Sequence, residues 1–203
     1  MRILLAEARR YYTSLRGDDE VGEEREAITI YTLGHSTRSL EELLAMLDGA
    51  GVTRLVDVRR HPGSRRHPRF SRDSLAEALG RHGIDYVWAE ALGGRRKPRK
   101  DTRHRAFRVA SFAAYADYME TEAFQRAMAA LLEGAARAPT AVMCAEARPE
   151  QCHRRLISDW LTVHGVRVMH LMTPTRAVAH ALPPFARVER GALVYDGGQL
   201  PLG

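Results

Sequence analysis

The sequence predicts an α/β protein: a single domain built on a mostly parallel sheet of about five strands, with helices on both faces in a Rossmann-like three-layer arrangement and a small C-terminal hairpin. Three observations predict it. Short apolar runs rich in β-branched residues recur as ITIYTLG, TRLVDVR, DYVWAE, TAVMCAE and VRVMHLM. Capped segments of helical length separate them. The runs are near-continuously apolar, as strands covered on both faces are.

Taken in order, residues 1–27 are charged and irregular and read as an N-terminal extension, helical or flexible, outside the working domain. The α/β domain spans 28–173 and opens with the strand ITIYTLG (28–34). Ser39-Leu-Glu-Glu42 is a capping box leading into LLAMLDGAG. TRLVDVR (53–59) is the second strand, followed by the Pro/Gly/Arg-rich loop RHPGSRRHPRFSR. Ser74-Leu-Ala-Glu77 caps the next helix, which ends near His82-Gly83, and DYVWAE (85–90) is the third strand. A basic loop runs from Gly93 to about Arg108, then SFAAYADYM and TEAFQRAMAALLEGAA read as helices. TAVMCAE (140–146) is the fourth strand, PEQCHRRLISDWLTVHG its helix and VRVMHLM (166–172) the fifth strand. In the tail, residues 174–203, ALVYDGGQLPL predicts a hairpin turning at Asp196-Gly197-Gly198.

The chain is long enough to bury a full core without a disulfide or metal staple. Its formal charge of +6 and pI near 9.7 favour an anionic partner, whether nucleic acid, nucleotide or phosphorylated metabolite. Two cysteines in 203 residues are no disulfide framework and point to a reducing compartment. The N-terminal apolar run, Ile3 to Ala6, is too short for a signal peptide, and no run approaches a membrane span. These features predict a cytoplasmic protein with no membrane partner. The surface helices carry no reading of oligomeric state.

Every strand of a parallel sheet opens on the same edge, where α/β proteins bind their ligands. Past the first strand stand Gly34, His35 and Ser36; at the second, Asp57, Arg59 and Arg60; past the third, Gly93 and Gly94; past the fourth, Cys144, Glu146, Arg148, Cys152, His153 and Arg154. With Pro149 suited to a first helical turn, Cys152 is placed near the positive end of a helix, beside Arg148 and Arg154, where thiolate is favoured. The structural alternative is a small cysteine packing helix on sheet. Glu146 needs water, a catalytic role or a partner such as Arg59 or Arg154. Asp57, inside an apolar strand, suits a ligand, a catalytic role or a buried hydrogen bond. His35 either serves the site or, as a structural residue, caps the following helix or bonds to backbone. The candidate catalytic residues are therefore Cys152, His153, Cys144, Glu146, His35 and Asp57, and the candidate anion- or substrate-binding residues are Ser36, Arg59, Arg60, Gly93, Gly94, Arg148 and Arg154.

No cofactor is read from the sequence, although a divalent metal is compatible with it. Cys144, Cys152, His153 and His35 could supply zinc ligands, but no Cys-x-x-Cys is present and adjacent Cys-His looks awkward for chelating one ion. Residues 59–72 and 95–108 concentrate arginines, including Arg65, Arg66, Arg95 and Arg96, punctuated by Phe70 and Phe107 as stacking surfaces. Gly93 and Gly94 would let backbone approach a polyanion closely.

TLGHSTRSLEELL, RLVDVRRHPGSRR, the LGG of EALGGRRKPR, SFAAYADYM and CAEARPEQCHRRLI resemble the bacterial and archaeal family catalogued as domain of unknown function 488. The resemblance covers roughly residues 29–172, in order and with compatible spacing. It implies an α/β domain and points to His35, Ser36, Asp57, Arg59, Pro62, Gly93, Gly94, Cys144, Glu146, Cys152, His153 and Arg154. It implies no activity, and it leaves out the first 27 residues.

Three functions compete. The first is an enzyme acting on a phosphate-bearing substrate, a nucleic acid or nucleotide, with a cysteine nucleophile, histidines moving protons and arginines holding phosphate. The arginine after Cys144 stands at 148, too near for a Cys-x5-Arg phosphatase loop. The second is a non-catalytic nucleic-acid-binding module using the arginine-rich loops. The third is a thiol redox or sulfur-handling protein using Cys144 and Cys152 as a pair.

Overall fold

The structure, a computed structural model, describes residues 28–63 and 67–197. The extension 1–27, Arg65, Arg66 and the tail beyond Gly197 lie outside the described residues. The elements in chain order are β1 (Thr29–Gly34), α1 (Leu40–Gly49), β2 (Arg54–Asp57), α2 (Arg72–Arg81), β3 (Asp85–Trp88), α3 (Ala110–Met119), α4 (Glu122–Ala135), β4 (Thr140–Cys144), α5 (Arg154–Val163), β5 (Arg167–Thr173), β6 (Arg176–Ala179), β7 (Ala186–Glu189) and β8 (Ala192–Tyr195). Short 3₁₀ turns occupy Pro68–Phe70, Glu90–Leu92 and Pro149–Gln151.

The main sheet has the order β3-β2-β4-β1-β5-β6. Strands β1 to β5 run parallel, and β6 lies antiparallel on β5. The predicted five parallel strands are present, and β6 is an addition. Its four residues are all exposed and follow β5 after the two-residue turn Pro174-Thr175, so no burial pattern marks it in the sequence. Strand β4 sits at the centre and is buried along its whole length.

Each face of the sheet has its own core. On one, Leu33, Leu55, Ala141, Met143 and Leu171 of the strands pack with Leu43 and Leu47 of α1 and Leu75 and Leu79 of α2. On the other, Ile30, Val56, Val142 and Val168 pack with Tyr115 of α3, Phe124 and Leu131 of α4, and Leu156 and Trp160 of α5. Alternate strand residues feed opposite cores, and this is why the strands read as continuous apolar runs.

Local chemistry sets the ends. Ser39 caps α1, its Oγ accepting from the Glu42 N–H at 3.1 Å. For α2 the predicted cap is displaced. Ser71 is the N-cap, and Ser74 lies within the helix, receiving a hydrogen bond from the Ser71 hydroxyl at 2.8 Å. The hairpin also differs in register: β7 and β8 turn at Arg190-Gly191, with ALVY as the second arm and Asp196-Gly197 beyond it. Arg190 and Gly191 have φ of 51° and 83°, the left-handed pair that a tight two-residue hairpin demands.

Candidate functional site

The carboxyl ends of β1, β2 and β4 converge because β4 pairs with both neighbours, with Gly34 opposite Cys144 and Asp57 opposite Met143. Beyond the strands the backbone keeps pairing: the N–H of His35 donates to the Cys144 carbonyl at 3.0 Å and that of Ser36 to the Ala145 carbonyl at 2.8 Å. Only glycine fits at 34, since a Cβ there would stand 1.8 Å from the Glu146 carbonyl oxygen. Ser36 takes a φ of 45° as the chain turns away into α1.

At this edge the two sulfurs and an imidazole meet. His153 Nδ1 lies 3.8 Å from Cys144 Sγ and 3.7 Å from Cys152 Sγ, and these three donor atoms all fall within 4.8 Å of one another. The His153 Nε2–H donates to the Val58 carbonyl at 3.1 Å, so the Nδ1 lone pair faces the thiols. Both cysteines are free and buried. A hydrogen bond from Cys152 leads the effects that hold the Cys144 thiol below the usual range, with the Ala145 amide adding to it and burial opposing. Cys152 goes the other way, raised by its bond to Cys144 and by burial.

The expected thiolate-favouring setting of Cys152 in a first helical turn is not found. Cys152 is not in a helical turn. It follows the 3₁₀ turn Pro149–Gln151 with φ −131° and ψ 144°, and α5 begins two residues later behind His153. The Arg154 N–H does reach Cys152 Sγ at 3.5 Å, but burial and the neighbouring sulfur outweigh that single dipole.

Arg154 is 1% exposed. Its Nη2 donates to the main-chain carbonyls of Glu146 at 3.2 Å and Ala147 at 3.1 Å, while Nε and Nη1 have no hydrogen-bond partner among the described residues. Burial, the leading effect, lowers its pKa, and the two cysteines oppose that shift. The Glu146 carboxylate is exposed and takes neither predicted arginine partner, as Arg154 holds its carbonyl and Arg59 holds Asp57. Arg148 is exposed too.

Asp57 and Arg59 form a closed network beside the thiols. Asp57, fully buried, accepts from Arg59 Nε at 2.9 Å, from Arg59 Nη2 at 2.5 Å, from the Arg59 amide at 3.0 Å and from the Tyr86 hydroxyl at 2.7 Å. Arg59 Nη1 donates to the Phe70 carbonyl at 2.8 Å and to His35 Nε2 at 3.2 Å. His35 in turn donates from Nδ1 to the Ser36 carbonyl at 3.1 Å and stacks on Phe70. Burial, then the Arg59 charge, pulls the His35 pKa down to about 4, so the ring is neutral. These side chains hold one another and shape the site's wall. Arg60 is half-buried, 3.9 Å from Glu90.

Gly93 and Gly94 are buried, and their openness is used internally. A Cβ on Gly93 would meet the Arg60 Cα at 2.9 Å, and one on Gly94 would meet His153 Nδ1 at 3.0 Å. Gly94 thus makes room for the imidazole, where the sequence suggested room for a polyanion. The predicted stacking surfaces are likewise core: Phe70 is fully buried, and Phe107 packs against Phe112, Phe185 and Tyr195. Several loop arginines also have protein partners: Arg96 lies over Tyr118 and donates to the Gly93 and Ala91 carbonyls, Arg99 pairs with Asp101, and Arg103 pairs with Glu120.

A second polar cluster went unread in the sequence. The Thr32 hydroxyl donates to His170 Nδ1 at 2.7 Å, His170 Nε2 to His180 Nδ1 at 2.9 Å, and His180 Nε2 to Asp159 Oδ1 at 2.7 Å. Asp159 Oδ2 accepts from the Tyr195 hydroxyl at 2.8 Å. The available signal was a histidine inside the apolar run VRVMHLM and an aspartate on the buried side of α5.

Chemically, two thiols facing one histidine nitrogen can share a proton, coordinate a soft cation or join as a disulfide, and the buried guanidinium favours negative charge nearby. Fold and site together define a three-layer α/β protein with a thiol–imidazole–guanidinium cluster at the carboxyl edge of its sheet. The chain belongs to the family described as Domain of unknown function DUF488, whose model matches residues 39–161. The match includes Asp57, Arg59, Cys144, Cys152, His153 and Arg154, and it begins after His35 and Ser36. No curated protein and no solved structure matches the chain significantly. No helix among the described residues is long and apolar enough to cross a membrane.

Proposed function

We propose that this chain is an enzyme acting on a phosphate-bearing substrate, a nucleotide or nucleic acid, at the cluster of Cys144, Cys152, His153 and Arg154. One observation carries the reading: a guanidinium 1% exposed keeps two donor nitrogens, Nε and Nη1, without a partner near two thiols. Leaving a buried charged donor unmatched costs about 1–3 kcal/mol or more, and an oxyanion at the site removes that cost. Arg154 then holds the anionic group, and the thiol–imidazole set supplies the reacting atoms. His153 is suited to accept a proton through Nδ1 without losing its bond to Val58. Arg60 and Arg148, at the rim, add positive potential that draws the substrate in. The loop arginines support a non-catalytic polyanion surface less well, because Arg96, Arg99 and Arg103 are already engaged within the protein.

The test is turnover of a panel of nucleotides, oligonucleotides and simple phosphate esters by the full reduced chain. Cys144→Ser is expected to lower kcat/KM by about 10³-fold or more. Arg154→Lys, which keeps charge but not the fork, should cost about 100-fold. Circular dichroism checks that each variant is folded. No turnover across the panel, or turnover indifferent to both substitutions, rejects the reading.

A further inference from the structure

The geometry points to a zinc site whose protein ligands are Cys144 Sγ, Cys152 Sγ and His153 Nδ1, with one coordination position left for water or a substrate oxygen. The distances argue for it first. Zinc binds sulfur at about 2.3 Å and imidazole nitrogen at about 2.0–2.1 Å in a tetrahedron, which places sulfur and nitrogen ligands about 3.6 Å apart. The observed separations are 3.8 Å and 3.7 Å, and all three atoms lie within 4.8 Å of one another. The sulfur–nitrogen separations need shorten only by tenths of an ångström, and the two sulfurs, at most 4.8 Å apart, need close to about 3.8 Å.

Adjacent Cys152 and His153 look poorly placed to share an ion, but the backbone solves this. Cys152 is extended and His153 is helical, with φ −131° against φ −57°, so consecutive side chains turn their donor atoms toward one point. Orientation argues for it next. The Nε2–H of His153 is fixed on the Val58 carbonyl, the outer hydrogen bond that sets the tautomer of a zinc-bound histidine and raises its basicity. Gly94 lies against the ring, where any side chain would collide with Nδ1.

Charge completes the argument. Two thiolates neutralise a divalent cation, so an anion or hydroxide in the fourth position carries the site to one net negative charge. Arg154, buried beside both cysteines with Nε and Nη1 unpartnered, is a counter-charge for that anion. Three protein ligands and an open position are the pattern of catalytic zinc, in contrast to a closed four-ligand structural site. Binding releases the thiol protons to solvent and needs no oxidant or reductant. His35, although close by, is not a ligand, since both of its ring nitrogens are engaged by Arg59 and Ser36.

The inference rests on the phosphate-site reading and revises one part of it. With zinc bound, His153 Nδ1 and both sulfurs are ligands, and the group in the fourth position takes over the reacting role. It can be tested without turnover. The full chain, reduced and stripped with chelator, is titrated with Zn²⁺ alone while thiol reactivity toward a disulfide reagent is followed. Co²⁺ replacement is then read for thiolate-to-cobalt charge-transfer absorption. One equivalent of Zn²⁺ should protect both thiols, and Co²⁺ should give the thiolate band. Cys144→Ser, Cys152→Ser and His153→Gln should each weaken Zn²⁺ binding more than about 100-fold, since loss of an outer-shell partner alone costs about 10–100-fold. If a cysteine variant fails to fold, thiol protection in the unmodified chain still decides. Two thiols equally reactive with and without Zn²⁺, or binding that survives all three substitutions, overturns the site. Zinc bound without turnover of any phosphate compound would leave the site standing and remove the proposed reaction. Cysteine-dependent turnover by chain that takes up no zinc would do the reverse.

Discussion

Gly34 shows how tightly the site is built at the scale of a residue. The carbonyl of Glu146 occupies the place its Cβ would take, and that contact is backbone on backbone. Gly34→Ala should therefore destabilise the fold by about 2–4 kcal/mol, read as a lower denaturation midpoint, where an exposed Gly→Ala would change little. The buried histidines give a pH signature. Burial and Arg59 hold His35 at about 4, and burial with His180 and Arg154 holds His170 at about 3, both below the ordinary 6.5. Between the folded and unfolded values the unfolded chain binds more protons. The stability these rings contribute is present above pH 6.5 and falls as the pH drops toward 4. By pH 5 the loss should reach about 1–2 kcal/mol for each ring. Urea midpoints at pH 7.5, 6 and 5 should decline in that order, and His35→Asn should flatten the decline.

Elements are set by caps and by what the strands bury. Ser39 caps α1 through its hydroxyl, and Ser74, which reads as a cap in the sequence, lies inside α2. Ser39→Ala should cost about 1 kcal/mol, and Ser74→Ala should change stability by less than about 0.5 kcal/mol, because an exposed helical alanine is at least as favourable as serine. Equal losses from the two substitutions, compared by thermal unfolding, would contradict the assigned helix start. The same pair shows the limit of reading caps from spacing. SLEE and SLAE carry the same signal, and Ser71 takes the second cap because Pro68–Phe70 already turns the chain three residues earlier. The displaced hairpin has a similar cause. Asp196-Gly197-Gly198 has turn chemistry, but Arg190-Gly191 sits between arms that can pair.

For the molecule as a whole, the Thr32–His170–His180–Asp159–Tyr195 chain is a long-range tie. It joins β1, β5, the end of β6, helix α5 and strand β8 through one buried carboxylate. Tyr195→Phe keeps the ring's packing and removes the donor to Asp159, so it should cost about 1–3 kcal/mol. It should also speed amide exchange in β7 and β8 more than in β4. A stability unchanged by Tyr195→Phe would show that the hairpin docks through its apolar side chains alone.

The sequence by itself determined the layered α/β class, the five parallel strands and the edge where the polar residues gather. Those follow from patterns written locally: apolar runs, caps, glycines, and the fact that parallel strands all open on one side. It also pointed to Cys144, Cys152, His153 and Arg154, because polar residues crowded after a buried strand have little other place to go. The tertiary structure decided which side chains pair with which. Asp57 and Arg59 turned out to satisfy each other, Glu146 turned to solvent, and Gly94 made room for a ring, because partners distant in sequence fill the hydrogen-bonding capacity of each group. Which thiol ionises, and whether neighbouring Cys152 and His153 can meet at one point, depends on a few backbone angles and on what lies across the sheet. No one-dimensional spacing carries that information.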